Sequence, residues 1–315
     1  MRQNSTSEWE PAGGGTKSRR VKRFSVHFLV TGALVFLAAC GSTNAAQQAT
    51  SNPGYNQLPS NIKSSGTITE AADLDYPPYE FLDANGNKTG FEVELAQALA
   101  ADLGVKLNIQ KVVFDSIVPG IASGRYDMSI AGITDTAARE KVVDFVDYFK
   151  LAEGLIVKAG NPGNLNTQFP GYCGHSFLQV VGSVELDRVH TMSTQCTTAG
   201  NRAMSISAAP STAEQILGLQ AGRAEAALQS KAANAYAAKQ TNGQLEALPG
   251  IVLTGTSTSA GQAGIAIKKG SSLVQALKIA LDDLIRNGKY VAILTKWGVS
   301  EDAVTQATVD QPSTG

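Results

Sequence analysis

Residues 90–113, GFEVELAQALAADLGVKLNIQKVV, decide the fold class. In the first half, apolar side chains fall at Phe91, Leu95, Ala98, Leu99 and Leu103, a spacing of three and four that gathers them on one helical face. Gly104 follows, in the place where helices end on a left-handed residue. From Val105 onward the apolar period drops to two, through Leu107 and Ile109 to Val113, which predicts a half-buried strand. Upstream, 67–72 reads as a short strand, Asp75-Tyr76-Pro77-Pro78 as a turn and 79–82 as a second extended run, with a tight-turn signal at Asn85-Gly86. Downstream, 117–122 reads as a helix and 128–131 as a buried strand. Strand–helix–strand alternation implies a layered α/β domain.

The same grammar returns later. Residues 176–181 read as a strand that runs through Gly182-Ser183 into a helix; 213–220 read as a helix, 224–228 and 264–267 as strands, and 273–286 as an amphipathic helix. Residues 251–258 read as polar and extended, and 302–315 as frayed. With 315 residues, 43% of them hydrophobic, the chain can bury a sizeable core, as two domains or one large α/β unit.

The formal net charge of −1 conceals an asymmetry. Residues 1–39 hold six basic side chains and two acidic ones, which leaves 20 basic against 25 acidic in the rest. A mildly acidic body without basic clusters argues against nucleic-acid binding. The basic excess sits in KSRRVKR at 17–23, directly before an almost wholly apolar run at 24–36. That run is short for a membrane span and fits the apolar core of an export signal. LAAC at 37–40 follows and resembles the lipobox of bacterial lipoproteins, in which Cys40 carries the lipid. Residues 1–39 are therefore expected to be a lipoprotein signal peptide. Residues 40–65, rich in Ser, Asn, Gln, Ala and Pro, are expected to be a flexible tether.

Two cysteines remain in the body, Cys173 and Cys196. In an exported chain such a pair is expected to form a disulfide rather than a metal site, and no Cys or His lies at zinc-ligand spacing. The alternative is two unpaired buried thiols. The bridge would constrain the unfolded chain by on the order of 3 kcal/mol.

Taken in order, four runs resemble the amino-acid-type solute-binding proteins of ABC importers, family 3. They are DLDYPPYEF (73–81), GFEVELA (90–96), AGITDTAAR (131–139) and GIAIKKG (264–270), with GKY (288–290) through KWG (296–298) similar to the family's C-terminal helix. The likeness covers about residues 66–300. It implies an α/β, two-lobe periplasmic-binding-protein type II fold with two hinge crossovers. Lobe 1 is expected at 66–150 plus 259–300, lobe 2 at 155–253, and a frayed tail at 301–315.

The resemblance also implies a ligand site. Arg139, expected just inside a helix capped by Thr136, would clamp the ligand carboxylate with its planar fork. Gly132 and Thr134 would supply backbone and hydroxyl groups, and Tyr76 and Phe114 would flank the ligand side chain. Asp73 would receive a distal amide or ammonium, or else merely cap its own turn. Ser183 and Val184, at a helix start in lobe 2, would meet the carboxylate on closure. One departure stands out: Ser230 occupies the place where the family often has the aspartate that binds the α-ammonium. Another acid (Asp73, Asp75 or Glu153), a ligand without a free α-amine, or a slipped alignment would each account for it.

The reading is a lipid-anchored binding protein that captures a small carboxylate-bearing solute, a polar or basic amino acid, for the permease and ATPase subunits of an importer. It is expected to be a monomer, without cofactor or metal. The alternatives are a binder of a derivative or organic acid lacking an α-amine, a ligand-sensing ectodomain, or a dehydratase-like enzyme. The last would need a general acid or base in the cleft. His175 and His190 lie outside the matched runs, and no Ser-His-Asp, P-loop or dinucleotide signature appears.

Overall fold

The computed structural model describes residues 52–250 and 261–312. The expected signal peptide at 1–39, the lipid-accepting Cys40, the first part of the tether, the extended run at 251–258 and the last three residues lie outside the described residues.

Two short helices, α1 (Pro53–Gln57) and α2 (Ser60–Ser65), lead into β1 (Thr67–Ala72). A small three-stranded layer follows, β2 (Asp75–Tyr76), β3 (Glu80–Leu82) and β4 (Lys88–Thr89), and then α3 (Phe91–Asp102) and β5 (Lys106–Lys111). Next come α4 (Ile117–Ala122), β6 (Met128–Ser129), β7 (Val143–Lys150) and β8 (Glu153–Lys158). The middle of the chain forms β9 (Ser176–Val180), α5 (Val184–Thr198), β10 (Ser205–Ala209), α6 (Thr212–Gln220), β11 (Ala226–Ser230), α7 (Lys231–Gln240) and β12 (Leu245–Ala247). The rest is β13 (Gln262–Lys268), α8 (Leu273–Arg286), α9 (Lys289–Lys296) and β14 (Ala303–Val309).

Two main sheets result. The first runs β14-β7-β13-β6-β1-β5, with β1 parallel to β5 and β6, and β13 antiparallel to β6 and β7. The second runs β10-β9-β11-β8-β12, with β9 parallel to its two neighbours and β8 antiparallel to β11 and β12. The chain leaves the first sheet between β7 and β8, across Leu151-Ala152, and returns between β12 and β13. This is a two-lobe α/β fold with two crossovers.

The helices form where the sequence buries a stripe. On α3, Phe91, Leu95, Ala98 and Leu99 are buried, and Gly104 adopts φ +67° beyond its end. On α8, Leu273, Leu277, Leu281 and Leu284 face the lobe-1 core, each contributing about 1.5–3 kcal/mol of burial. In lobe 2 the core gathers Leu155, Phe177, Val189, Met192 and Cys196. Cys173 and Cys196 are disulfide-bonded, with Cα atoms 5.6 Å apart, which ties the end of α5 to the loop before β9.

Two segments depart from expectation. Residues 52–65 are folded rather than part of a tether. Asn52 accepts from Gly54 N at 2.7 Å and donates to Asp102 O at 2.8 Å, while Leu58 and Ile62 are buried. A cap, a proline at the helix start and two core contacts outweigh the low charge on which the tether reading rested. Nor is the tail frayed over Ala303–Val309, where β14 pairs with β7 and buries Val304 and Ala307. Thr308 Oγ1 donates to Asp147 Oδ2 at 3.0 Å, and Phe145 N donates to Asp310 Oδ1 at 2.8 Å.

Candidate functional site

A cleft of about 420 Å³ opens between the lobes. Lobe 1 contributes Asp73, Tyr76, Phe114 and Gly132; lobe 2 contributes Ser183 and Glu185, with Thr212, Gln215 and Gln229 forming its floor.

Asp73 follows β1 and is buried. Its Oδ1 accepts from Asp75 N at 3.2 Å, and its own N–H donates to Glu80 Oε1 at 2.8 Å. It thus caps its turn and also faces the cleft. Burial, followed by the charge of Asp75, pushes its carboxyl up to about 8. Tyr76 stacks on Tyr79 with ring centres 4.6 Å apart, and its hydroxyl donates across the lobes to Ser230 Oγ at 3.0 Å. Gly132 makes this possible: at φ +59°, a Cβ there would come within 2.9 Å of the Tyr76 ring. Its N–H is committed to the Glu92 carboxylate, at 3.0 and 3.1 Å, and so does not point at a ligand. Glu92 also accepts from the Tyr148 hydroxyl, yet its burial holds the carboxyl up at about 8.

Arg139 stands apart from the main cleft. It lines an adjoining cavity of about 330 Å³ together with Gly182, and Phe114 lines both spaces. The expected helix is only a single 3-10 turn, Arg139–Lys141, in which Arg139 N donates to Thr136 Oγ1 at 3.2 Å. So short a turn offers no row of free amides. The fork itself is oriented: Nη1 donates to Thr134 O at 2.9 Å and Nη2 crosses the lobes to Gly182 O at 3.1 Å. Burial lowers its pKa, against the raising fields of Glu185, Asp187 and Asp135.

In lobe 2, Ser183 caps α5 by accepting from Leu186 N at 3.2 Å, and Val184 begins the helix without lining the cleft. Ser230 caps α7 by accepting from Ala233 N at 3.1 Å, in addition to the Tyr76 hydroxyl. Five of the nine expected site residues therefore line the cleft: Asp73, Tyr76, Phe114, Gly132 and Ser183. Ser230 touches it through Tyr76, Arg139 and its partner Thr134 lie next door, and Val184 turns aside.

Of the acids considered for the missing aspartate, Glu153 is paired with Arg188 inside lobe 2, and Asp75 does not line the cleft. Glu185 was not anticipated. It lies in the first turn of α5, and burial raises its pKa while Arg139 and Ser183 oppose the rise. The glutamine floor was missed as well. Gln229 Nε2 donates to Gln215 Oε1 at 2.5 Å, and Gln215 Nε2 donates to Leu178 O at 2.7 Å. Thr212, Gln215, Gly218 and Leu219 form the buried stripe of α6, and polar residues on a buried stripe were the available signal.

The profile of the bacterial extracellular solute-binding proteins, family 3, matches residues 68–300. Among curated proteins, the arginine-binding protein ArgT of Corynebacterium glutamicum is 27% identical over 255 residues, covering 81% of each chain. Among solved structures, an ancestral arginine-binding protein bound to arginine is 30% identical with a TM-score of 0.66, over 74% of this chain and 98% of that one. The ancestral amino-acid-binding protein AncCDT-1, described as a precursor of cyclohexadienyl dehydratase, is 28% identical with a TM-score of 0.61, over 75% and 97% of the two chains. The solved structures agree with the two-lobe α/β fold, and the chain belongs to the bacterial extracellular solute-binding proteins of family 3.

Proposed function

We propose that this protein is the lipid-anchored binding subunit of an ABC importer and that its ligand is a basic amino acid, arginine foremost. The carrying observation is the charge set around the cleft. Two carboxylates, Asp73 and Glu185, line it, and one guanidinium, Arg139, stands beside it. A ligand with one carboxylate and two cationic groups balances that set, its cations drawing the buried Asp73 and Glu185 into their ionised forms, and burying an unbalanced charge is costly. Tyr76 and Phe114 offer flat faces for the aliphatic stem and the cation. ArgT and the ancestral arginine-binding protein support the same ligand.

In this account Arg139 takes the ligand carboxylate by exchanging its bond to Gly182 O, helped by the start of α5 at Ser183, while Asp73 receives the distal cation. Thr134 holds the fork, Gly132 makes room for Tyr76, and Ser230 braces the Tyr76 hydroxyl. The lipid on Cys40 holds a monomer to the outer face of the cell membrane after export, within reach of the permease and ATPase subunits. A neutral polar amino acid is the second reading, supported by an ancestral arginine-binding protein that is also found bound to glutamine. Among the described residues no histidine lines the cleft, and the binding role is favoured over a dehydratase.

The test is a thermal-shift panel of amino acids and small organic acids on the purified protein. At one hundred times its Kd, a ligand stabilises the folded state by about 2.7 kcal/mol. Arginine is expected to give the largest shift; a panel in which no carboxylate-bearing compound shifts the melting temperature refutes the proposal.

A further inference from the structure

We infer that Glu185 is the carboxylate that receives the ligand's α-ammonium group, with Gln229 Oε1 as a second acceptor, in place of the acid that Ser230 does not provide. The inference rests on the amino-acid reading above and goes beyond it in assigning an amine subsite.

Ser230 cannot serve. It carries no charge, and its oxygen already accepts from Ala233 N and from the Tyr76 hydroxyl. Among the described residues, lobe 2 contributes a single acid to the lining of the cleft, Glu185, from the first turn of α5. The α-carboxylate and the α-ammonium leave the same carbon, so their partners must also be neighbours. Arg139 Nη2 donates to Gly182 O at 3.1 Å, three residues before Glu185, which sits in the first turn of α5, and the charge of Glu185 acts on that fork. The head group of an amino acid therefore fits between Arg139 and Glu185, and its side chain runs on toward Asp73. Gln229 adds an independent observation. It is buried, it lines the same cleft, its Nε2 is committed to Gln215, and its Oε1 has no hydrogen-bond partner. An ammonium offers three donors. One can go to that orphaned oxygen, a buried acceptor being costly to leave unmade.

The experiment is isothermal titration of the full-length protein with L-arginine and with δ-guanidinovalerate, which is arginine without its α-amine. The unaltered protein is expected to prefer L-arginine by roughly 30-fold or more, as for a buried hydrogen-bonded charge pair. Glu185→Gln should weaken L-arginine by a similar factor, leave δ-guanidinovalerate within about threefold, and so erase the preference; adding Ser230→Asp to it should restore the preference. Ser230→Asp alone should strengthen L-arginine binding by no more than about threefold, because the amine is already neutralised. This last variant decides the matter even if Glu185→Gln fails to fold. Equal weakening of both ligands in Glu185→Gln, unchanged L-arginine affinity there, or a gain beyond about tenfold in Ser230→Asp alone would overturn the assignment while leaving the amino-acid reading intact. An unaltered protein that binds no L-arginine overturns the arginine reading and this assignment with it, while the thermal-shift panel decides the wider amino-acid reading.

Discussion

Replacing Arg139 by alanine separates the two tasks assigned to its fork. The guanidinium donates to Thr134 O at 2.9 Å and to Gly182 O at 3.1 Å. Gly182 lies on the surface, and its carbonyl can turn to water; Thr134 is buried and cannot do so. The fold therefore loses one charge-assisted hydrogen bond outright, about 1.5–3 kcal/mol. In a protein of this size that lowers the melting temperature by roughly 3–12 °C. The ligand loses more. Truncating one partner of a buried charge pair costs about 2–5 kcal/mol, which corresponds to a Kd roughly 30-fold to several-thousand-fold higher. The assay is titration with L-arginine at low salt and again at high salt. Arg139→Lys keeps the charge but not the planar fork, and its loss should be intermediate. An alanine variant that binds L-arginine within about threefold of the unaltered protein would show that the fork serves only to join Thr134 to Gly182, and would refute the carboxylate clamp.

Three further outcomes follow from the same structure. Burial holds the Glu70 carboxyl at about 8, so the folded state keeps its proton where the unfolded chain has lost it; stability is fully present below about pH 4.5 and declines as the pH rises through about 8. The melting temperature should fall across that window, and Glu70→Gln should flatten the fall; an unchanged slope would rule Glu70 out as its source. Reducing Cys173–Cys196 frees a loop closed over a sequence separation of 23 and should cost about 3 kcal/mol, seen as a melting temperature roughly 6–12 °C lower in reductant, whereas no shift would mean that the bridge does not constrain the unfolded chain. Ending the chain after Asp302 removes β14 with its buried Val304 and Ala307 and its bonds to Asp147 and Phe145; destabilisation by at least about 3 kcal/mol in urea is expected, and a truncated chain of full stability would contradict the pairing.

What could be read from the sequence was local. The change of period at Gly104 marks the end of α3 and the start of β5, because helix and strand each write their burial into neighbouring residues. The two crossovers were not legible in periodicity. β7 and β8 are buried along nearly their whole length and do not alternate, and their partners, β13 and β11, lie far along the chain. The site divides in the same way. Asp73, Tyr76 and Gly132 sit in runs with fixed local geometry, and they do meet in one cleft. Arg139 was placed correctly near a threonine cap but on the wrong element, since one 3-10 turn and an α-helix start share that signal. Glu185 looks like any acid in the first turn of a helix, where it satisfies the helix dipole, and only the opposite lobe gives it a second role. Gln215 and Gln229 belong to different elements, and the bond between them is visible only in three dimensions.

The most direct measurement is a crystal structure of the arginine complex. The account places the ligand carboxylate within about 3 Å of the Arg139 guanidinium, with the bond to Gly182 O exchanged for it. A complex in which both arms of the fork still hold Thr134 O and Gly182 O, while the carboxylate rests elsewhere, would contradict it.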